Sequence, residues 1–407
     1  MSNSTASRGM SGIDYTGLST HVDACLHQLI EQGYAKRTID RYRCGLDHFS
    51  RWVTRDRTPW NREEELVRRF LSSHLHVCGR LHLSAALRHL LRFLRARGYI
   101  IAGNHGAGRI EEEVQRYDTY LERICGLASK TRQVRRHFIH RFLCARFPRG
   151  PIDLSDCNPQ QIRRFVMDTV QGWRPGSVAV LCGAMRSYLR FRAVHGERTG
   201  ALMAAVPSIA DWRTTSLPTA LTEVEIDLFL DAFDCTSPEG GRNYAIARCL
   251  VDLGLRAGEV VRLELEDLNW REGTLRLRRT KGKRVDLLPI PARTGQAIVQ
   301  YLQRRPAQRS NRALFVRHRP PLDALLTVEI VHWAMRQAYD RASIARPWTG
   351  THCLRHSLAS HLVNVGTPLK EIADVLRHRS LNTTMIYAKV NIAQLSAVAL
   401  PWPGSVS

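Results

Sequence analysis

The chain has 407 residues, 60 of them Lys or Arg against 37 Asp or Glu, with a net charge of +23 and a pI near 10.3. Such a field favours a polyanionic partner, because cationic side chains release counterions from phosphates; it lies far from the usual range of cytosolic small-molecule enzymes. The length allows two or three domains with cores of their own, and no apolar run approaches the eighteen residues of a membrane span. Met1 to Gly12 is polar and lacks the apolar stretch of a signal peptide. The ten cysteines form no C-x-x-C pair, so reduced, mostly buried thiols and a cytoplasmic location are expected.

In chain order, the N-terminal half holds a weak internal repeat. Thr38, Leu46 and Phe49 correspond to Thr131, Ile139 and Phe142, and VRRFL from Val67 corresponds to IRRFV from Ile162. LRF at Leu91 with Gly98 corresponds to LRF at Leu189 with Gly196. The offset stays between 93 and 98 residues. Each copy reads as a handful of short helices with basic faces. Two tandem helical units are therefore expected, about 15–103 and 112–207, joined by the Gly-rich IAGNHGAGRI. Val206 to Pro218 has two prolines and no helical period, so it reads as a linker. LTEVEIDLFLDAF then opens the next domain, with Thr222 as N-cap.

Leu250 to Trp270 places Arg256 and Glu259 three residues apart. GTLRLRRTKGKRVDLLPI follows and reads as a β-hairpin. Leu275 and Leu277 lie on one arm, Lys281-Gly282-Lys283 form the turn, and Val285, Leu287 and Ile290 lie on the returning arm. The chain has only six lysines, and two sit at this tip. Arg cannot release a proton near neutral pH, whereas Lys can serve as a general acid.

Thr351 to Val390 concentrates the remaining chemistry: His352, Arg355, His356, His378 and Tyr387. Leu354, Leu358 and Leu362 mark the apolar stripe of a helix, with His352 and Arg355 on its other face. Gly366 ends that helix, and Thr367-Pro368 reads as N-cap and first position of the next. Asn382, Thr383 and Thr384 offer caps for a last short helix carrying Tyr387. A guanidinium, imidazoles and a phenol brought together suit phosphoryl transfer. His352 and His356 are also spaced as zinc ligands would be, but no Glu follows the first and no cysteine pair stands nearby, so no metal is expected.

GLRAGEV, a TKGK hairpin, HCLRH, LRH and then TTMIY resemble the tyrosine recombinase (phage integrase) family. The resemblance covers about Leu217 to Val390 and implies a fold that is mainly α with a small β-sheet in the catalytic domain. The implied domains are 1–108, a helical core-binding-like or arm domain; 112–207, a helical core-binding domain; and 217–400, the catalytic domain. By position, Arg256 and Arg355 match the catalytic arginines, Lys281 the hairpin lysine, and His352 and His378 the active-site histidines. Tyr387 matches the nucleophile, and Glu259 the acidic group that supports the first arginine. The core-binding resemblance implies phosphate contacts from Lys130, Arg132, Arg135 and Arg136, and Lys283 is a further DNA contact. Two residues depart from the pattern: Cys353 stands where the family usually has Asp, and Arg377 where it usually has Gly. The second departure resembles recombinases of insertion and integrative elements.

The resemblance implies a site-specific recombinase that cuts and rejoins double-stranded DNA through a 3′-phosphotyrosine. Tyr387 attacks, Arg256 and Arg355 hold the phosphate oxygens, Lys281 protonates the leaving 5′-oxygen, His352 takes the tyrosine proton and His378 bonds the phosphate. Neither ATP nor a cofactor is implied, and the partners are specific DNA sites and further recombinase protomers, not a membrane. A type IB topoisomerase-like enzyme would use the same chemistry on one strand, and an accessory DNA-binding protein on this fold is the non-enzymatic alternative.

Overall fold

The computed structural model describes residues 18–56, 63–73, 80–99, 108–148, 151–208, 220–278, 285–306, 312–322, 324–378 and 384–388. Lys281 and Lys283 of the expected turn, Asn382, Thr383, most of the expected linker and the tail beyond Ala388 lie outside these residues. By contacts the chain divides into two compact units, one of residues 1–21 with 46–212 and the other of 22–45 with 213–407. Residues 22–45 join the second unit through features such as the Leu322 N–H bond to the Gln32 carbonyl at 3.1 Å.

The N-terminal half is helical throughout its described residues: α1 (Leu18–Glu31), α2 (Lys36–Asp56), α3 (Glu63–Ser73), α4 (Arg80–Ala96), α5 (Arg109–Arg123), α6 (Ser129–Arg146), α7 (Pro159–Thr169), α8 (Pro175–Val194) and α9 (Gly200–Ala205). The two matched stretches share local features. Phe49 of α2 meets Phe70 of α3 edge-on at 5.0 Å, and Phe142 of α6 meets Phe165 of α7 edge-on at 5.2 Å. Both α4 and α8 end in a glycine at positive φ, Gly98 and Gly196. Each end is closed by the next residue's N–H, from Tyr99 to the Leu94 carbonyl and from Glu197 to the Arg192 carbonyl. The second copy adds a buried polar tie, with Glu113 of α5 accepting from the Tyr188 hydroxyl at 2.9 Å and Arg192 at 2.6 Å on α8.

Past the expected linker, the first helix opens as expected. Thr222 caps α10 (Glu223–Asp231) in a reciprocal box with Glu225, a local motif that needs no tertiary support. At the centre runs α11 (Pro238–Asp252), packed against α10, α12 (Ala257–Val260), α13 (Ala292–Arg304), α14 (Val328–Arg341) and α15 (His352–Asn364). Enclosed on so many sides, it buries every residue from Ala245 to Val251, so its one-sided periodicity disappears.

A three-stranded antiparallel sheet, β1 (Leu268–Asn269), β2 (Thr274–Leu277) and β3 (Asp286–Pro289), flanks this core. The hairpin arms form as expected, with a short third strand added. On the returning arm the strand residue turned to the core is Leu288. Leu275 pairs with Leu288, and Leu275, Leu277 and Leu288 are buried, while Val285 and Leu287 are each 61% exposed. Register decides this: Leu287 stands opposite Arg276 on the outer face, and strand side chains alternate.

Two short helices complete the described chain, α16 (Leu369–Val375) and α17 (Met385–Ala388). The cap of α16 falls at Pro368 with Leu369 first in the helix, one residue beyond the expected start. Ala359 and Val363 of α15, Ile372 of α16, Leu376 at its C-cap, and Tyr387 of α17 form a small separate core, with Leu358 and Leu362 packed against it. Tyr387 is therefore seated by apolar burial within its own chain. Among the nine described cysteines, all free, five are buried and four are exposed, a narrow majority buried.

Candidate active site

The site is assembled around the turn into α12. Arg256 is the N-cap of this four-residue helix, and Glu259 at its third position reaches back to the Arg256 N–H at 2.9 Å (Oε2) and its guanidinium at 2.8 Å (Oε1). Gly254, two residues earlier, has φ +55°, and a Cβ there would lie 2.9 Å from Leu358 and 3.0 Å from Leu376. Both conformation and space thus require glycine. The close approach brings the Gly254 carbonyl to α15, where the Arg355 guanidinium donates to it and to the Leu376 carbonyl. Arg355 is 4% exposed. Burial, then Arg256 and Arg377, bring its pKa down to about 9, so it remains a cation at neutral pH. The Arg256 side chain is the most open of the site arginines at 30%.

Arg377 fills the space behind Glu259. Its side chain, 6% exposed, donates to Glu259 Oε2 at 3.2 Å, to the Gly254 carbonyl at 3.4 Å and to the Val375 carbonyl at 3.0 Å. It ends α16 at φ +54°, with its own N–H bonded to Asp374 O and the His378 N–H to Ala373 O. The same closure ends α1, α4, α8 and α15, and there the left-handed residue is a glycine: Gly33, Gly98, Gly196 and Gly366. A side chain in this conformation costs roughly 1–2 kcal/mol. Burial disfavours the Glu259 charge, but the Arg256 N–H and the guanidinia of Arg377 and Arg256 outweigh it and hold the carboxyl below its ordinary range.

Two imidazoles lie beside the phenol, and a third, that of His352, lies near His356. The Tyr387 hydroxyl is 2.6 Å from His356 Nδ1, and the Tyr387 ring lies nearly parallel to that of His378 at 6.4 Å. His378 Nδ1 meets the Thr384 hydroxyl at 2.7 Å, which ties His378 to the residue before α17. His352 is the most exposed of the three. Burial raises the Tyr387 pKa against the pull of Arg355 and Arg256, so the phenol keeps its proton at neutral pH. The histidines shift the other way. Burial, then His352 and Arg355, lowers His356 to about 4; burial, then Arg355 and Arg256, lowers His378 to about 4. His352 is lowered by burial and the same two arginines.

The imidazoles are thus neutral at pH 7, and His356 can accept the tyrosine proton in its hydrogen bond. Stability carries the same signature. Unfolded imidazoles titrate near 6.5, so between about 6.5 and 4 the unfolded chain binds more protons than the folded one. Stability should therefore decline as pH falls through that window. Thermal melting of wild type and His356→Asn/His378→Asn checks this. The variant should lose less between pH 6.5 and 4, and an identical decline in both proteins would remove these histidines as its source.

The sequence-derived residues divide unevenly. Arg256, Glu259, His352, Arg355, His378 and Tyr387 come together, whereas Lys281 and Lys283 lie outside the described residues. His356 was legible only as one imidazole of the cluster, and its contact with the phenol oxygen emerges from the fold. Cys353 is buried in the main core, and burial raises its thiol pKa to about 11. In the helical half, Arg132 pairs with Asp118 at 3.2 Å and Glu122 at 2.8 Å, and Arg136 lies 3.5 Å from Asp118. Arg135 bonds Ser187 at 2.9 Å, and Lys130 is exposed. No helix among the described residues is long and apolar enough to cross a membrane.

The model of the phage integrase family matches residues 219–394. A putative integrase/recombinase of Sinorhizobium fredii, y4rA, is 37% identical over 323 residues, covering 79% of this chain and 78% of the relative. Among solved structures, XerH site-specific recombinase in a post-cleavage complex with palindromic difH substrate aligns with a TM-score of 0.55 at 16% identity, covering 96% of this chain and 97% of the other. A lambda integrase tetramer bound to a Holliday junction aligns with a TM-score of 0.55 at 15% identity, covering 76% and 87%. These two share the fold. Given the extent and identity of the match to the S. fredii relative, the chain belongs to the phage integrase family and is a tyrosine recombinase, an enzyme that cuts and rejoins DNA.

Proposed function

We propose that Tyr387 is the nucleophile of a site-specific recombination reaction on double-stranded DNA, with Arg256 and Arg355 as its phosphate-holding pair. The observation that carries this reading is the Tyr387 hydroxyl bonded to a neutral His356 beside two fixed guanidinia. Tyr387 Oη attacks the scissile phosphorus in line, and the bond to the 5′-oxygen breaks as the 3′-phosphotyrosine forms. His356 is placed to receive the phenol proton. His352, which the family pattern puts in that role, and His378 then face the phosphate. Arg256 and Arg355 stabilise the negative charge that gathers on the non-bridging oxygens, at about 3 kcal/mol for each well-placed donor. Lys281 supplies the proton that the 5′-oxygen takes as it leaves. A partner strand's 5′-hydroxyl next attacks the phosphotyrosine, the strand is rejoined and Tyr387 recovers its proton. The phosphoester energy is kept in the covalent link, so no ATP is consumed.

Residues 112–207 serve in this reading as a helical clamp on the DNA backbone, through Lys130, Arg132, Arg135 and Arg136. Residues 1–108 repeat its helices and aromatic pairing, which supports a second basic clamp of the same kind. The lambda integrase structure is a tetramer on a Holliday junction, and a similar assembly of several protomers on two DNA sites suits this chain, because exchange requires two duplexes held together. A mobile element and a cytoplasmic setting fit the resemblance.

Strand exchange between two differently labelled duplexes carrying the target site tests the function. Recombinant product should form undiminished in excess EDTA, and site binding should weaken steeply with salt. Relaxation of supercoils with no product joining the two labels would favour the topoisomerase-like reading. Cleavage abolished by chelation, with binding intact, would show that a metal is needed.

A further inference from the structure

Arg377 is the best-held residue of the site that has no part in the scheme above. A guanidinium occupies a kind of helix end that α1, α4, α8 and α15 give to glycine, and its side chain is turned inward, not toward solvent. It is bonded to the two groups that orient the phosphate-holding arginines: Glu259, which holds Arg256, and the Gly254 carbonyl, which also receives Arg355. The strain of the left-handed backbone therefore coincides with a built contact.

Charge explains what the contact does. Glu259 is the carboxylate hydrogen-bonded within this cluster, and without Arg377 its negative charge would be balanced by Arg256 alone. Arg256 would then be the outer half of a one-to-one ion pair, with little net charge left for a ligand. With Arg377 behind it, Glu259 has Arg256 on one oxygen and Arg377 on the other. The hydrogen-bonded set becomes three guanidinia to one carboxylate, with Asp286 acting on Arg377 from farther away. A phosphodiester carries one negative charge, and the pentacoordinate species formed by Tyr387 attack carries two. The added cation is thus worth most where charge increases.

We propose that Arg377 is a positioning residue of the phosphate pocket, serving as counter-ion to Glu259 and co-ligand of the Gly254 carbonyl so that Arg256 and Arg355 meet the scissile phosphate as uncompensated cations. This rests on Tyr387 attacking a phosphate held by those two arginines. The burial that holds Arg377 in place also makes its charge act at short range in a poorly screened setting. Glycine at this position would relax the backbone and remove the charge together.

The test is single-turnover cleavage of nicked suicide DNA by the full chain, with either a phosphate or a methylphosphonate at the scissile position. The methylphosphonate has one negative charge fewer in both ground and transition states, so an extra cation matters less to it. Arg377→Gly should cleave the phosphate about 10- to 100-fold more slowly than wild type. On the methylphosphonate its loss should be at least about tenfold smaller. Arg377→Lys, which keeps the charge, should recover most of the phosphate rate. If the glycine variant melts well below wild type, Arg377→Asn, whose side chain tolerates the same backbone, gives the comparison. No loss on phosphate, or equal losses on both substrates, overturns the proposal, since a merely structural residue slows both alike. A wild-type chain that forms no adduct would instead overturn the reading on which the proposal rests.

Discussion

Tyr387→Phe should abolish the covalent protein–DNA adduct, by on the order of 10⁴-fold or more in cleavage rate, while binding to an intact site changes little. The ring is what packs. Tyr387 is 2% exposed in the small core made with Ala359, Val363, Ile372 and Leu376, and phenylalanine retains that apolar burial. The oxygen is what reacts, and its hydrogen-bond partner is His356 Nδ1. Removing it leaves Arg256, Arg355 and Glu259 in place, so the cationic contacts that bind the phosphate persist. His356 loses one partner at a half-buried position, a modest cost of about 1 kcal/mol. A denaturing gel of the variant on nicked suicide DNA reads the result, with melting to confirm the fold. A gel-stable adduct from the variant would take the nucleophile away from Tyr387.

The second large effect concerns the leaving group. A 5′-alkoxide departs poorly unless it is protonated, whereas sulfur at the same bridging position leaves without help. Lys281→Ala should therefore cut ordinary DNA at least about 100-fold more slowly, the usual contribution of a general acid. It should approach the wild-type rate on a substrate with a 5′-bridging sulfur. Lys283→Ala should lose some affinity, and sulfur should give it no special rescue. The arms that carry this tip are set by the pairing of Leu277 with Asp286 and Leu275 with Leu288. A shift of two residues in the turn would exchange the two lysines without changing which face either arm buries. Rescue of the Lys283 variant alone would move the acid to Lys283, and rescue of neither would remove both.

What the sequence by itself determined is what depends on near neighbours in the chain. Thr222 and Glu225 close a capping box because both partners lie within one helical turn. Gly366 ends α15 because the left-handed conformation there suits glycine. The Arg256–Glu259 pair is legible for the same reason, being three residues apart on one turn. The paired aromatics of the repeat are legible as well, since Phe49 and Phe142 recur at matching positions and each packs against its own copy's next helix.

Only the tertiary structure decided what depends on which surfaces meet. Leu287 and Leu288 are equally apolar, and strand register alone sends one inward and the other to solvent. His356 lies 31 residues from Tyr387, so its bond to the phenol requires α15 and α17 to pack on a common core. Arg377 is 118 residues from Glu259. In the sequence it is a bulky cation in place of glycine; its partner is supplied by the turn at Gly254, where the chain passes close enough to α15 and α16 that no side chain fits. Charges so far apart along the chain acquire a fixed relation only when burial excludes the water that would otherwise screen them.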